Sequence, residues 1–341
     1  MWRRFNISFV SIFGTGLGLS ILFVLLLDPY GNSLLGLPLR EPILEINQRY
    51  VYPQIVRRGP YDSFVIGTST SRLLEPQRLN KALGGNFANL AMDDARAWEQ
   101  MQMMKLILRD AGAPARLFIG LDTVWCREDA DTHLTSKQRD FPAWLYDSNP
   151  VNDLPNMLNV STFELAYKKL RYQLGRNVAQ YEANGYKDFT KGEAHYDAER
   201  ARRGIREKSR NARKPANRAF VASPEQQWRL PALTWLNEVL EQVDGKSRVF
   251  LVFMPVHVTA QPIQGTRDAA RENECKRRIQ KLAIRYNALY LDYRVPSSIT
   301  SNDENYWDPL HWRIHVGHIV VEEVAAKATA SGTVRPGVSN R

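Results

Sequence analysis

Hydrophobic positions fall along this chain in three rhythms. The first is unbroken: residues 7–27 are 21 positions without a charge. At about 1.5 Å per residue, such a run crosses a hydrocarbon core of roughly 30 Å. It predicts a transmembrane helix. A cleaved signal peptide would need a shorter apolar run and a small-x-small cleavage site, and Asp28-Pro29-Tyr30-Gly31 offers none. Arg3 and Arg4 precede the span and the next basic residue is Arg40. The positive-inside rule therefore sets residues 1–6 in the cytoplasm and the rest outside. Gly14 and Gly18 form a G-x-x-x-G that can pack against another membrane helix.

The second rhythm alternates short apolar runs with helical stripes. Runs at 64–66, 86–90, 116–122, 248–254 and 289–292 read as strands covered on both faces. Between them lie stripes of helical period. Trp98, Met101, Leu106 and Leu108 predict a helix over 95–109, ended by Gly112 and Pro114. Leu233, Leu236, Leu240 and Val243 predict one over 231–243, and others follow over 267–286 and after His315. Strand, helix, strand in this order implies right-handed crossovers and a parallel sheet, with ligands meeting the carboxyl ends of the strands. Ser69, Ala91 and Asp122 fall at that edge.

The third rhythm is an absence of rhythm. Residues 28–60 carry prolines at 29, 38, 42, 53 and 60 and predict an ordered connector. The periodic pattern also breaks over 128–230, an aromatic-rich insertion read as a cap over the active edge of an α/β domain formed by 61–127 and 231–331. Within it, Ser161-x-x-Glu164 is a capping-box signal for a helix whose apolar face is Phe163, Tyr167, Leu170 and Leu174. Residues 332–341 predict a disordered tail.

Charge changes this picture in one place. The chain carries 46 basic and 36 acidic residues, a net +10. Residues 200–218 hold nine of the basic ones (Arg200, Arg202, Arg203, Arg206, Lys208, Arg210, Arg213, Lys214, Arg218) against Glu207 alone. This run is either a solvated loop or a surface for an anionic polymer or lipid headgroups. The external topology argues against nucleic acid. Two cysteines, Cys126 and Cys275, suggest neither a disulfide framework nor a metal cluster. Cys275 shares a stripe with Ile279, Leu282 and Tyr286, which predicts a buried thiol.

The candidate chemistry sits at two distant stretches. Residues 62–72 read Asp-Ser-Phe-Val-Ile-Gly-Thr-Ser-Thr-Ser-Arg, an apolar strand ending in glycine and hydroxyls. Residues 306–312 read Tyr-Trp-Asp-Pro-Leu-His-Trp. A serine hydroxyl needs an imidazole to take its proton, and the imidazole needs a carboxylate to hold its tautomer. Asp308 and His311, three apart, can supply both from one loop. Asp292, at the end of the fifth strand, is the rival carboxylate. A bland alternative makes the early hydroxyls mere caps of the next segment. An α/β-hydrolase elbow is excluded, because Gly67-x-Ser69-x-Ser71 lacks its last glycine and only one strand precedes the serine.

From Asp62 to Ala328, interrupted by the insertion, the sequence resembles the SGNH (GDSL-type) hydrolase-like superfamily. Gly67-Thr68-Ser69 stands where that family has Gly-Asp-Ser, and Asp308 with His311 where it has its terminal Asp-x-x-His. Asn89-Leu90-Ala91 is similar to the second block, with Ala91 replacing the oxyanion-hole glycine. Gly120-Leu121-Asp122 is similar to the third, with Asp122 replacing an asparagine. An ionised carboxylate cannot donate to an oxyanion. The resemblance implies an SGNH-like α/β three-layer sandwich with a five-stranded parallel sheet, and a triad of Ser69, His311 and Asp308. Oxyanion donors would come from the N–H groups of Ser69 and Ala91, with Asp122 a third only if protonated and otherwise turned away or doing something else; by position, His257 just past the fourth strand and Arg72 are candidate substrate contacts, His257 being alternatively a loop histidine without chemistry. It implies no cofactor and no metal. Its single-pass, outward-facing members resemble proteins that finish acylation of cell-envelope polysaccharide, supplied by a multi-pass membrane acyltransferase. The expectation is thus an extracytoplasmic, membrane-anchored O-acyltransferase or esterase, probed by a serine-directed label on Ser69. The alternative is an inactive SGNH fold that binds polysaccharide or scaffolds a membrane complex.

Overall fold

The computed structural model describes residues 2–33, 35–149, 152–211, 220–221 and 227–330. The expected tail at 332–341 and the basic residues Arg213, Lys214 and Arg218 lie outside them. Five strands form one all-parallel sheet: β1 Ser63–Ile66, β2 Phe87–Asn89, β3 Arg116–Leu121, β4 Arg248–Phe253 and β5 Leu289–Asp292. The helices before and between the first strands are α1 Trp2–Leu27, α2 Gln48–Arg58, α3 Pro76–Leu83 and α4 Ala97–Asp110. Those of the insertion are α5 Asp153–Met157, α6 Val160–Gln173 and α7 Ala198–Asn211. The last three are α8 Ala232–Val243, α9 Arg267–Arg285 and α10 Ile314–Ala330.

The sheet order is β2-β1-β3-β4-β5. Phe64 pairs with Ala88 on one side and Leu117 on the other, and Phe118 with Phe250. Because the chain leaves β1 for one neighbour and returns to the other side through β3, the crevice between their carboxyl ends is the place where this topology holds ligands. Both faces are covered. Val65, Phe118, Phe250 and Val252 pack with Leu79 and Leu83 of α3 and with Val316, Val320 and Val324 of α10. Phe64, Ile66, Ile119, Leu251 and Phe253 alternate with them and are equally buried. On their side α4, α8 and α9 pack against one another.

The chain divides into two compact units, Met1–Gly59 with Pro142–Ala183, and Pro60–Phe141 with Asn184–Arg341. The expected single cap is therefore not one body. Residues 142–183 of it belong with the N-terminal helices, and 128–141 and 184–230 belong with the sheet. Within the N-terminal unit the connector is ordered, as its prolines suggest. Pro53 sits inside α2 and leaves the carbonyl of Arg49 without its helical donor. The Tyr146 hydroxyl donates to that oxygen at 2.9 Å. An Ile43–Tyr181 bridge ties the same two segments again.

Two local expectations are corrected. The cap of α6 is Asn159, whose side chain accepts from Thr162 N–H, so Ser161 lies inside the first turn and is not the cap of the expected box. The buried face of α6 is Thr162, Leu165, Ala166 and Lys169, while Phe163, Tyr167 and Leu174 face outward. The cysteines also differ from expectation. Cys126 and Cys275, 149 residues apart, form a disulfide across a Cα separation of 5.4 Å. The stripe placed Cys275 in the core correctly, but its partner comes from the turn after β3, which no spacing rule links to α9.

Candidate active site

The turn that carries Ser69 begins where β1 stops. A Cβ on Gly67 would meet Ser71 Cβ at 2.8 Å and the Gly120 carbonyl at 3.0 Å, so only glycine fits between β1 and β3 here. The chain then closes a single 3-10 turn, Ser69–Ser71, which brings Ser69 to the sheet edge half-buried. Ser71 is fully buried in the space the two glycines leave, and its Oγ has no hydrogen-bond partner among the described residues. Asn89, at the end of β2, fastens the turn. Its Nδ2 donates to the carbonyls of Ser71 and Leu74 at 3.0 and 2.9 Å.

The opposite wall is the loop before α10. Asp308 Oδ1 accepts from the N–H groups of Leu310 and His311 at 2.8 and 3.0 Å, and Oδ2 lies 2.7 Å from His311 Nδ1. The other ring nitrogen, Nε2, is 2.9 Å from Ser69 Oγ. Residues 242 positions apart thus form one line of hydrogen bonds. Burial works against the Asp308 charge, but the imidazole and the two N–H donors outweigh it and hold this carboxyl below its usual range. Trp312 locks the loop. Its Nε1 donates to the Thr70 carbonyl at 3.0 Å, and its buried ring lies against Gly317, where a Cβ would come within 2.7 Å of the indole.

The other expected residues are placed differently. Asp292 bonds Lys276 and the Arg294 N–H, away from His311, so it is not the orienting carboxylate. The Ala91 N–H, expected to face an oxyanion, donates to Asn89 Oδ1 at 3.1 Å, and Ala91 is fully buried. Asp122 is an acceptor rather than a donor. It caps the turn after β3 by taking the Val124 N–H at 2.9 Å, and it also takes the Thr68 hydroxyl. Burial raises its pKa, against the pull of Thr68, Arg294 and Val124. The Ser69 N–H has no acceptor among the described residues, which leaves it as the available oxyanion donor.

His257 is 3% exposed and lies behind the site. Its backbone N–H donates to the Pro309 carbonyl, its ring packs edge-on against Tyr306, and Nδ1 engages Thr259. Asp303 Oδ1 stands 3.1 Å from Nε2, but off the line a ring N–H bond requires. Burial lowers the pKa of this histidine, Asp303 opposing. It supports the Asp308 loop through that backbone bond, with its side chain buried. Arg72 is also committed, with both oxygens of Asp93 at 2.7 and 2.8 Å and its guanidinium 4.5 Å over the Phe189 ring.

Phe189 was missing from the sequence reading, and it matters. Its ring meets His311 edge-on at 5.3 Å and lines a cleft of about 280 Å³ that runs along His311 and Asp308. Trp307, Lys191, His195 and Arg200 are also on its wall. Among the described residues no carboxylate lies within ion-pair distance of Lys191 or Arg200. The wall is held to the segment that carries Asp308 and His311 by Glu193 with Arg313 at 2.8 Å, by Tyr196 OH on the Tyr306 carbonyl at 3.2 Å, and by Arg202 with Glu304 at 3.0 Å. Only the general signal of an aromatic-rich insertion could have pointed to these residues.

Protein-family models and curated proteins, searched with this chain, supply no match. Ser69, His311 and Asp308 have the connections of a nucleophile, a base and an orienter. Among the described residues no cluster of three His, Cys, Asp or Glu is arranged to hold a metal ion.

Proposed function

We propose that this chain is a membrane-anchored, extracytoplasmic SGNH-type enzyme that transfers or hydrolyses acyl groups on cell-envelope carbohydrate. The observation that carries the reading is the line Ser69 Oγ, His311 Nε2, His311 Nδ1, Asp308 Oδ2, with contacts of 2.9 and 2.7 Å. In this reading His311 takes the Ser69 proton as Oγ attacks an ester carbonyl, Asp308 stabilises the imidazolium, and the Ser69 N–H receives the oxyanion. The ester C–O bond then breaks and His311 gives that proton to the leaving oxygen, which leaves an acyl-Ser69; a sugar hydroxyl or water attacks the acyl carbon as His311 takes its proton, and the proton passes to Ser69 Oγ as the acyl–Oγ bond breaks.

The cleft fits a carbohydrate acceptor, since Trp307 and Phe189 offer apolar surface for sugar rings beside polar groups. The strand order and the edge position of Ser69 agree with the SGNH resemblance. Two features support an outside location. The helix α1 is long and apolar enough to cross a membrane, and a disulfide persists where the compartment is oxidising. By the same resemblance, a multi-pass membrane acyltransferase is the proposed donor partner.

A second reading, an inactive scaffold that binds polysaccharide, has one observation in its favour: neither Ala91 N–H nor Asp122 is free to donate. A fluorophosphonate probe on the full chain separates the two. Labelling lost in Ser69→Ala and in His311→Ala supports the enzyme; no labelling of the folded wild-type chain supports the scaffold.

A further inference from the structure

Helix α6 is built inside out for a surface in water. Its inward face sets polar groups beside the buried Leu165 and Ala166: Lys169 Nζ donates to the Asp28 carbonyl at 2.9 Å and to Glu41 at 2.6 Å, and Thr162 meets the Tyr30 hydroxyl at 3.0 Å. Its outward stripe is apolar. Val160 is 82% exposed, Phe163 44%, Tyr167 51%, and Leu174, just past the helix, 60%. These positions follow one another by three, four and seven residues, so they form one face. A face of this kind needs a neighbour other than water.

The position of α6 within the N-terminal unit says which neighbour. The Phe163 ring packs against Phe23 at 5.1 Å, close to the end of α1. From Phe23 to Leu27 is about 6 Å along a helix, which is the depth of the boundary between acyl chains and headgroups if α1 crosses the bilayer. The chain after α1 turns back to the same level, because the Leu37 N–H donates to the Leu26 carbonyl at 2.9 Å. There Leu35 and Leu37 are also exposed. Lys168, Arg171 and Arg176 flank the stripe, against the single acid Glu164. Apolar residues with a tyrosine and a cationic margin form the pattern of a helix lying in a membrane interface.

We infer that the stripe Val160, Phe163, Tyr167 and Leu174, with Leu35 and Leu37, is seated in the headgroup–acyl boundary of the bilayer that α1 enters. This rests on reading α1 as the membrane span. The ligand is lipid, with anionic headgroups favoured by the flanking cations. The N-terminal unit is then held by a second contact besides α1, which limits its rotation about the anchor.

The test uses the full chain in vesicles of phosphatidylcholine and phosphatidylglycerol. The two native cysteines are paired, so one added thiol can be labelled with an environment-sensitive fluorophore. Labels go on Phe163→Cys, Tyr167→Cys and Leu174→Cys, with Leu22→Cys as the α1 control and the same fluorophore coupled to glutathione, in the same vesicle suspension, as the water control. The last stripe position lies past the helix end and leaves folding of α6 untouched. With a nitroxide shallow in the acyl chains, the stripe labels should lose about half their emission, as for a face sunk ~5–10 Å into the boundary. Quenching no greater than that of the glutathione adduct, with Leu22→Cys still quenched, overturns the inference and leaves the anchor. Blue-shifted emission without quenching means protein covers the face, which also overturns it. Loss of quenching at Leu22→Cys overturns the anchor reading itself.

Discussion

At the scale of single residues, the line from Ser69 to Asp308 makes the sharpest predictions. Removing one member of a triad costs roughly 10⁴-fold or more in turnover, and removing two costs little beyond that, because they act as one unit. Ser69→Ala, His311→Ala and their double variant should show this on a chromogenic ester and in the acyl content of the surface polymer. Ser71→Ala should be silent, since the buried Oγ has no partner to lose. Asp122 supplies a pH test with a definite sign. Its folded pKa is raised by burial, so ionisation above the unfolded value weakens the fold. Asp122→Asn should therefore raise the melting temperature at neutral pH. The gain should shrink as the pH falls toward about 4, where the unfolded carboxyl is also protonated. Asparagine can accept from Val124 N–H, and ester hydrolysis should persist. Asp308 has the opposite sign: its folded pKa is depressed, so its stabilisation is present above the unfolded value and is lost as pH falls through the lower folded one. Asp308→Asn should flatten the acid limb of the stability curve.

At the scale of elements, the loop before α10 is a preformed part. Trp312 anchors it to the nucleophile turn and Gly317 leaves room for the ring. Trp312→Phe should keep much of the packing but lose the bond to Thr70, and should lower turnover more than it lowers melting temperature. Trp312→Ala should cost about 3–5 kcal/mol in thermal or urea unfolding. Helix α7 poses the charge question. Its Ala201 and Ile205 are buried, and Arg203, Arg206 and Lys208 face water. Replacing Arg200, Arg203 and Arg206 with glutamine should leave the melting temperature nearly unchanged, because exposed charges contribute under about 1 kcal/mol each. If the helix draws an anionic polymer to the cleft, binding should weaken and its salt dependence should flatten. Unchanged binding across salt returns α7 to a solvated surface.

At the scale of the whole chain, compartment and disulfide belong together. Closing a long loop stabilises by about 2–4 kcal/mol, so Cys126→Ser with Cys275→Ser should unfold at visibly lower urea than the oxidised protein. A reporter active only outside the cytoplasm, fused after Arg341, should be active. Activity of a cytoplasm-only reporter would invert the orientation and remove the basis for an oxidised pair.

What the sequence determined by itself is the set of features whose cause is local or periodic. The uncharged run of α1, the five apolar strands and the helices between them were legible because burial imposes a period on neighbouring residues. The site was half legible for the same reason: Asp308 and His311 are three apart, and Ser69 follows a strand end. Their meeting with each other was only a resemblance, since nothing in a sequence brings residues 242 apart to 2.9 Å. Tertiary structure decided everything that depends on a distant partner. It paired Cys126 with Cys275, gave the Ala91 N–H to Asn89, turned Asp122 into an acceptor, and withdrew His257 and Arg72 behind other contacts. It also reversed the face of α6, because periodicity reports that a stripe is apolar but not whether protein or another apolar medium lies against it.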